Sequence, residues 1–319
     1  MDLKQLRDAK KGALPVVALL ALCLLWSLSS LRADLLPQFG STNRDTHFAR
    51  QAMPLAVLAI AAVLFAWVRG ARWPRGRGHW ESAGVGVALF VAPALLSDLA
   101  RDSVADLTRV ALFSLVPLFA FVFEPYIGGA SGTQNRSGLM AAMAAVAGTL
   151  CVFPIDLPES VRAGFGFCAV IVAAGCIAAA NCGAVRVASE LPKKSFASFV
   201  AIAGGAAAVV FAAASALTER QAWSWNALAP DLAWSSVVEL PGLLILFWLM
   251  QRMSATRMTT RFLLAPLIAN LLGIFLSRHS VSFREWSGLA LIALGAAWLL
   301  LARADDGDAQ GTALHLENR

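Results

Sequence analysis

The chain has 319 residues; 58% are apolar, only 14% are charged, and 26 Lys and Arg against 20 Asp and Glu give a net charge of +6. Soluble domains carry nearer a quarter charged residues, and a globule this apolar would present large apolar patches to water. The composition excludes an ordinary soluble protein, and the basic excess falls in short juxtamembrane clusters that fit membrane topology better than nucleic acid.

Apolar stretches long enough to span a bilayer recur from end to end. In chain order the predicted helices are Leu14–Leu31, Ala52–Val68, Ser82–Asp98, Asp106–Phe123, Gly138–Phe153, Val161–Val187, Phe196–Leu217, Ser235–Met250, Arg261–Leu276 and Glu285–Leu301. The first run is long and lacks a clean small-residue cleavage site, so it reads as a spanning helix and not a signal peptide. Lys and Arg in alternate loops divide 17 against 9. That division places both termini in the cytoplasm and requires an even number of passes. Trp67, Trp73, Trp80, Trp223, Trp225, Trp234 and Trp286 fall near predicted membrane interfaces. The five cysteines, Cys23, Cys151, Cys168, Cys176 and Cys182, match neither a disulfide framework nor a zinc site, and are read as small core residues.

An internal repeat runs through the chain. Pro93 recurs as Pro241, Thr108-Arg109 as Thr256-Arg257, Pro117 as Pro266 and Ser137-Gly138 as Ser287-Gly288, in the same order and with nearly constant offset. Two five-helix halves follow, and an odd number of helices per half inverts one relative to the other. The expected fold class is all-α: ten transmembrane helices as two inverted repeats, residues 14–157 and 158–303. A cytoplasmic segment precedes them at 1–13, and a polar, disordered tail follows at 304–319.

Leu263 to Gly273, a helix containing Pro266, followed by Trp286 to Gly295, resembles the closing segment of EamA-type permeases of the drug/metabolite transporter superfamily. Ser114 to Phe123 and then Gly138 onward resemble the same segment in the first half. Trp26-Ser27 resembles the family's Trp-Gly start, and Arg50 its Arg opening helix two. Glu124 stands where the family carries an acid after helix four, whereas Leu276-Ser277-Arg278-His279 has no acid at the equivalent place. The resemblance implies a secondary transporter, exporting a small metabolite such as an amino acid, with no enzymatic activity and no cofactor. It also implies a central cavity lined by helices one, three, four, six, eight and nine, alternately open to each side.

Ionisable groups at membrane depth are site candidates. Asp98, Arg101, Asp102, Asp106 and Arg109 are spaced to share one helical face, interrupted by a turn; they read either as a cavity mouth or as a surface turn paired with itself. Glu239 lies several residues inside Trp234 and just before Pro241, so it reads either as a proton or cation site or as an acid paired with Arg220. The expected substrate-binding residues are Glu239, Arg109, Asp106, Trp26, Asn181 and Asn270, with Glu239 and Asp98 as coupling candidates. Asn181 and Asn270 have a blander reading as interhelical hydrogen-bonding groups, Trp26 as a packing group and Arg257 as a topological anchor.

The rival functions are a magnesium-dependent transferase using Asp98, Asp102 and Asp106, and a non-transporting sensor or assembly protein. Arg101 and Arg109 on the acidic face oppose the transferase, and no His-Glu-x-x-His or Gly-x-Ser-x-Gly motif occurs. No metal is expected. The expected partners are a small-molecule substrate, the bilayer of the cell membrane and, optionally, a second copy in a homodimer, but not nucleic acid.

Overall fold

The computed structural model describes residues 3–31, 47–128, 136–192, 195–219, 223, 225–277 and 282–301. Among these the chain is all-helical. We number the membrane helices α1 (Leu3–Ser30), α2 (His47–Val68), α3 (Arg77–Ala100), α4 (Asp106–Ile127), α5 (Arg136–Val152), α6 (Val161–Glu190), α7 (Phe196–Thr218), α8 (Trp225–Met250), α9 (Ala255–Ser277) and α10 (Phe283–Leu301). All but α5 contain a stretch long and apolar enough to cross a bilayer, and α5 is a shorter apolar helix. The protein is a multi-pass membrane protein. The expected disordered tail and the proposed Glu239 partner Arg220 lie outside the described residues.

Helices are the form these segments must take in lipid, because each backbone N–H and C=O is satisfied within its own segment. Large apolar side chains such as Phe275, Leu294 and Val209 point outward, while the core mixes Leu and Phe with many Ala, and Gly148, Gly288 and Gly295 mark close helix approaches. Small residues let helices approach closely where lipid offers no hydrophobic driving force between them. The exposed tryptophans Trp67, Trp80 and Trp286 lie near helix ends. α2 stops at Gly70, whose φ of +60° suits the left-handed turn that lets Ala71 N–H bond back to the Ala66 carbonyl. The cysteines divide: Cys23 and Cys182 are buried, whereas Cys168 is exposed, which corrects its reading as a core residue. It lies on a face of α6 that no neighbouring helix covers.

The packing repeats. α2 lies against α7 and α5 against α10. α3 and α4 both pack on α6, and in the same way α8 and α9 both pack on α1. Exchanging each of the first five helices for its counterpart in the second five leaves this pairing unchanged. The crossings are antiparallel where inversion requires it. Phe48 stacks on Phe211 while Leu55, further along α2, meets Gly204, further back on α7. Gly148 lies against the Gly288 carbonyl and Gly295 against that of Ala141, so α5 and α10 also run in opposite directions.

The repeat extends to backbone irregularities. α3 contains a π turn, Val87–Val91, just before Pro93, and α8 contains one, Ser235–Glu239, just before Pro241. Proline lacks an N–H and its ring collides with the carbonyl four residues back; a wider turn relieves both problems. α4 and α9 are each broken, between Phe113 and Val116 and at Thr260. The sequence reading runs each as one helix and starts α9 six residues late. The missed piece, Ala255–Thr259, is rich in Thr and carries Arg257, so hydropathy gives no sign of it.

Candidate functional site

A cavity of about 720 Å³ opens at one end of the bundle, where α2 begins, α3 ends and α4 begins. Its walls are His47, Arg50 and Gln51 of α2, Pro93 to Arg101 of α3 and its following turn, and Asp102, Asp106 and Arg109. The volume falls in the range of small-molecule sites. The residues converge because α3 ends at Ala100 and α4 starts at Asp106, so one short turn carries acidic and basic groups to a common mouth.

Three arginines and three aspartates face this space. Arg101 lies 3.9 Å from Asp98, and Arg109 pairs with Asp106. These internal pairs are the ones expected of a surface turn, yet they line an open volume as well. Arg109 is mostly buried while Asp106 is largely exposed, and the Arg109 Nε–H has no hydrogen-bond acceptor among the described residues. Arg50 makes no ion pair among the described residues. Both signs of charge thus remain available at one mouth. Asp98, Asp106 and Arg109 come together as the sequence indicates; Arg50, His47 and Gln51 join them from α2.

The other candidates lie elsewhere. Glu239 sits between α8 and α1, accepting hydrogen bonds from Ser235 Oγ at 3.0 Å and Ser29 Oγ at 3.5 Å. It lines no part of the charged cavity. Asn270 is half-buried on α9, with no hydrogen-bond partner among the described residues.

Trp26 and Asn181 meet around a residue that the sequence reading sets at the cytoplasmic start of the ninth helix and does not count among the site candidates. Arg261 is 1% exposed. It opens the second piece of α9 just after the break at Thr260, so its backbone position is set by that break. Its Nη2 donates to Asn181 Oδ1 of α6 at 2.9 Å, and its Nη1 to the Met258 carbonyl at 3.1 Å. Its guanidinium carbon lies 5.3 Å from the Trp26 ring centre and 4.8 Å from that of Phe262. Neighbouring Ser27 shares its hydroxyl between the Cys23 and Ala265 carbonyls, at 2.7 and 2.8 Å, tying α1 to α9. These side chains fill the place where α1, α6 and α9 meet, and the charged cavity lies away from it at one end, walled by α2, α3 and α4.

One further group escaped the sequence reading. Glu219, 5% exposed at the end of α7, accepts from the Phe48 and Ala49 amides at 2.7 and 3.0 Å and from Ser215 Oγ at 2.7 Å. It caps the start of α2, whose N–H groups have no partner within the helix. At the end opposite the cavity, Thr256 of α9 donates to Glu124 of α4.

Residues 164–301 match the EamA-like transporter family. This segment is EamA-like. It contains most of α6 and all of α7 to α10, hence Arg261, Asn181 and Glu239. One solved structure, described only as the crystal structure of a protein, superposes with a TM-score of 0.70 at 18% identity, covering 91% of this chain and 99% of that one. In all, 29 solved chains match. At that identity the likeness establishes fold, and it extends well beyond the EamA-like segment. No curated protein matches the chain. The family match over residues 164–301 agrees with the sequence resemblance, and the superposition shows that the shared fold extends over most of the chain.

Proposed function

We propose that the protein is a secondary transporter in the cell membrane that exports a small polar metabolite, such as an amino acid or a related compound. The charged cavity carries this reading: an open volume of about 720 Å³ lined by three Arg and three Asp, set into an apolar helix bundle. Such a space holds water and a polar solute where lipid would exclude both. A solute bearing both charges finds complementary groups there. With both termini cytoplasmic, this mouth faces outward. The halves 14–157 and 158–303 rock about their shared seams, α2 with α7 and α5 with α10, to open the opposite end.

Within this reading Arg109 and Asp106 bind solute at the mouth, and Asp98 assists. Glu239, held by serines from two helices beside a π turn, is the coupling acid. The transferase alternative is weakened because Arg50, Arg101 and Arg109 offset the acidic charge that a magnesium ion would need.

The test is flux into and out of proteoliposomes across a broad metabolite panel. Arg109→Gln and Asp106→Asn should each lower flux at low solute concentration about tenfold, as expected for loss of a charge-assisted hydrogen bond. Glu239→Gln should abolish transport or remove its dependence on a proton gradient. If no solute in the panel moves, the sensor or assembly reading gains and the carrier reading fails.

A further inference from the structure

Arg261 is buried in the bundle with 1% of its surface exposed. A guanidinium does not give up its proton in a protein, and a buried charge without a counter-ion is strongly unfavourable. Among the described residues no carboxylate lies within ion-pair distance of it. Its polar partners, the Asn181 amide oxygen and the Met258 carbonyl, are both neutral. Its Nε–H is buried and has no acceptor among the described residues. A clamp between α6 and α9 would account for the two hydrogen bonds that are made. It would not account for a buried charge that the Trp26 and Phe262 rings offset only in part, nor for a spare donor.

We propose that Arg261 is the binding residue for a carboxylate group of the transported solute. Guanidinium matches carboxylate geometry through paired, parallel hydrogen bonds, and the unpartnered Nε–H supplies one donor of such a pair. The site is occluded here. Trp26 and Phe262 flank the guanidinium, and both rings are only half-buried, so their rotation would uncover it from outside the helix core. The break at Thr260 lets the second piece of α9, which begins with Arg261, tilt relative to the first. Solute that has entered between the opposite charges of the cavity then meets, deeper in the bundle, a single positive charge with no internal counter-ion. This assignment deepens the transport reading and rests on it.

The experiment uses the purified full-length chain, in detergent for binding and in proteoliposomes for flux. The probes are the twenty amino acids and the C2–C6 monocarboxylates, each beside its primary amide. Binding is followed through tryptophan emission, with Trp26→Phe identifying the signal that arises beside Arg261. Wild type should bind and move acids at least about tenfold better than amides, in line with a charged hydrogen-bonded contact. Arg261→Gln should bring that ratio close to one, and Arg261→Lys should keep the preference with weaker binding.

Asn181→Asp keeps the arginine and supplies an internal carboxylate. It should raise the unfolding temperature and abolish acid binding, whereas a purely structural clamp would be stabilised with binding unchanged. This variant decides the matter even if Arg261→Gln fails to fold. Amides handled as well as acids by wild type, or acid binding unaltered in Asn181→Asp, overturns the proposal. Acid binding without flux removes the carrier reading and leaves the site. Flux indifferent to acid or amide removes the site and leaves the carrier. Neither binding nor flux removes both.

Discussion

Glu219 shows how a single buried acid at the end of a membrane helix can be structural. Its carboxylate accepts from two backbone amides and one hydroxyl, and the amides belong to the buried start of another helix, where negative charge is favourable. Truncation would leave those N–H groups buried and unpaired, at about 1–3 kcal/mol. Glu219→Ala should therefore lower the chain's resistance to denaturant by that amount, and Glu219→Gln, which keeps an acceptor oxygen, by less. An unchanged unfolding midpoint in Glu219→Ala would refute the capping role. The sequence conceals this contact because the partners are 170 residues apart and the donors are backbone groups. Asp98, Asp106 and Arg109 were legible because they cluster within one turn. Arg261 was not: as the first residue of the ninth predicted helix, after Arg257, it reads as a cytoplasmic flanking charge, and only the hidden first piece of α9 places it inside.

Among the helices, the contact of α5 with α10 depends on glycine. A β-carbon on Gly288 would lie 2.7 Å from Val152 and 2.8 Å from the Gly148 carbonyl, and one on Gly148 would lie 2.7 Å from the Gly288 carbonyl. Backbone cannot yield as a flexible side chain can, so the helices would have to separate. Gly288→Leu should abolish folded protein, read as loss of a monodisperse peak on size-exclusion chromatography. Gly175→Ala is the control, because nothing lies within 4 Å of its absent β-carbon; it should be neutral or slightly stabilising through helix propensity. Gly288→Leu protein that elutes and melts like wild type would show that this crossing is not close-packed in solution. Here the sequence was informative, since Ser137-Gly138 and Ser287-Gly288 mark the same helix in each half. Likewise Pro93 and Pro241 marked the two π turns, whose local widening follows from the missing proline N–H. The breaks in α4 and α9 left no comparable trace.

For the whole molecule, the informative feature is how the two related ends differ. Thr108 and Thr256 occupy equivalent places in the two halves. Thr108 accepts from the Asp156 amide just before α6, at the end where the cavity is open. Thr256 instead donates across to Glu124 of α4, at the closed end. Beneath that contact, Ala255 packs with Val116, Ala120, Ala178 and Cys182, and the Cys182 thiol lies 3.9 Å from the Ala120 carbonyl. In the proposed carrier cycle this structure is one member of a pair, with the cavity end open and the Glu124 end shut by these contacts. Glu124 has no equivalent acid on α9 among the described residues, so the two closed states are held by different contacts and need not be equally populated. Removing the carboxylate should shift the balance toward opening at the Glu124 end. In a background where Cys182 is the sole cysteine, Glu124→Ala should make it react severalfold faster with a water-soluble maleimide. A solute bound at the cavity end should slow that reaction again, because a ligand favours the state it fits. If the labelling rate is the same with and without the Glu124 carboxylate, this contact does not hold the end shut, and the barrier lies in the apolar packing around Cys182 itself.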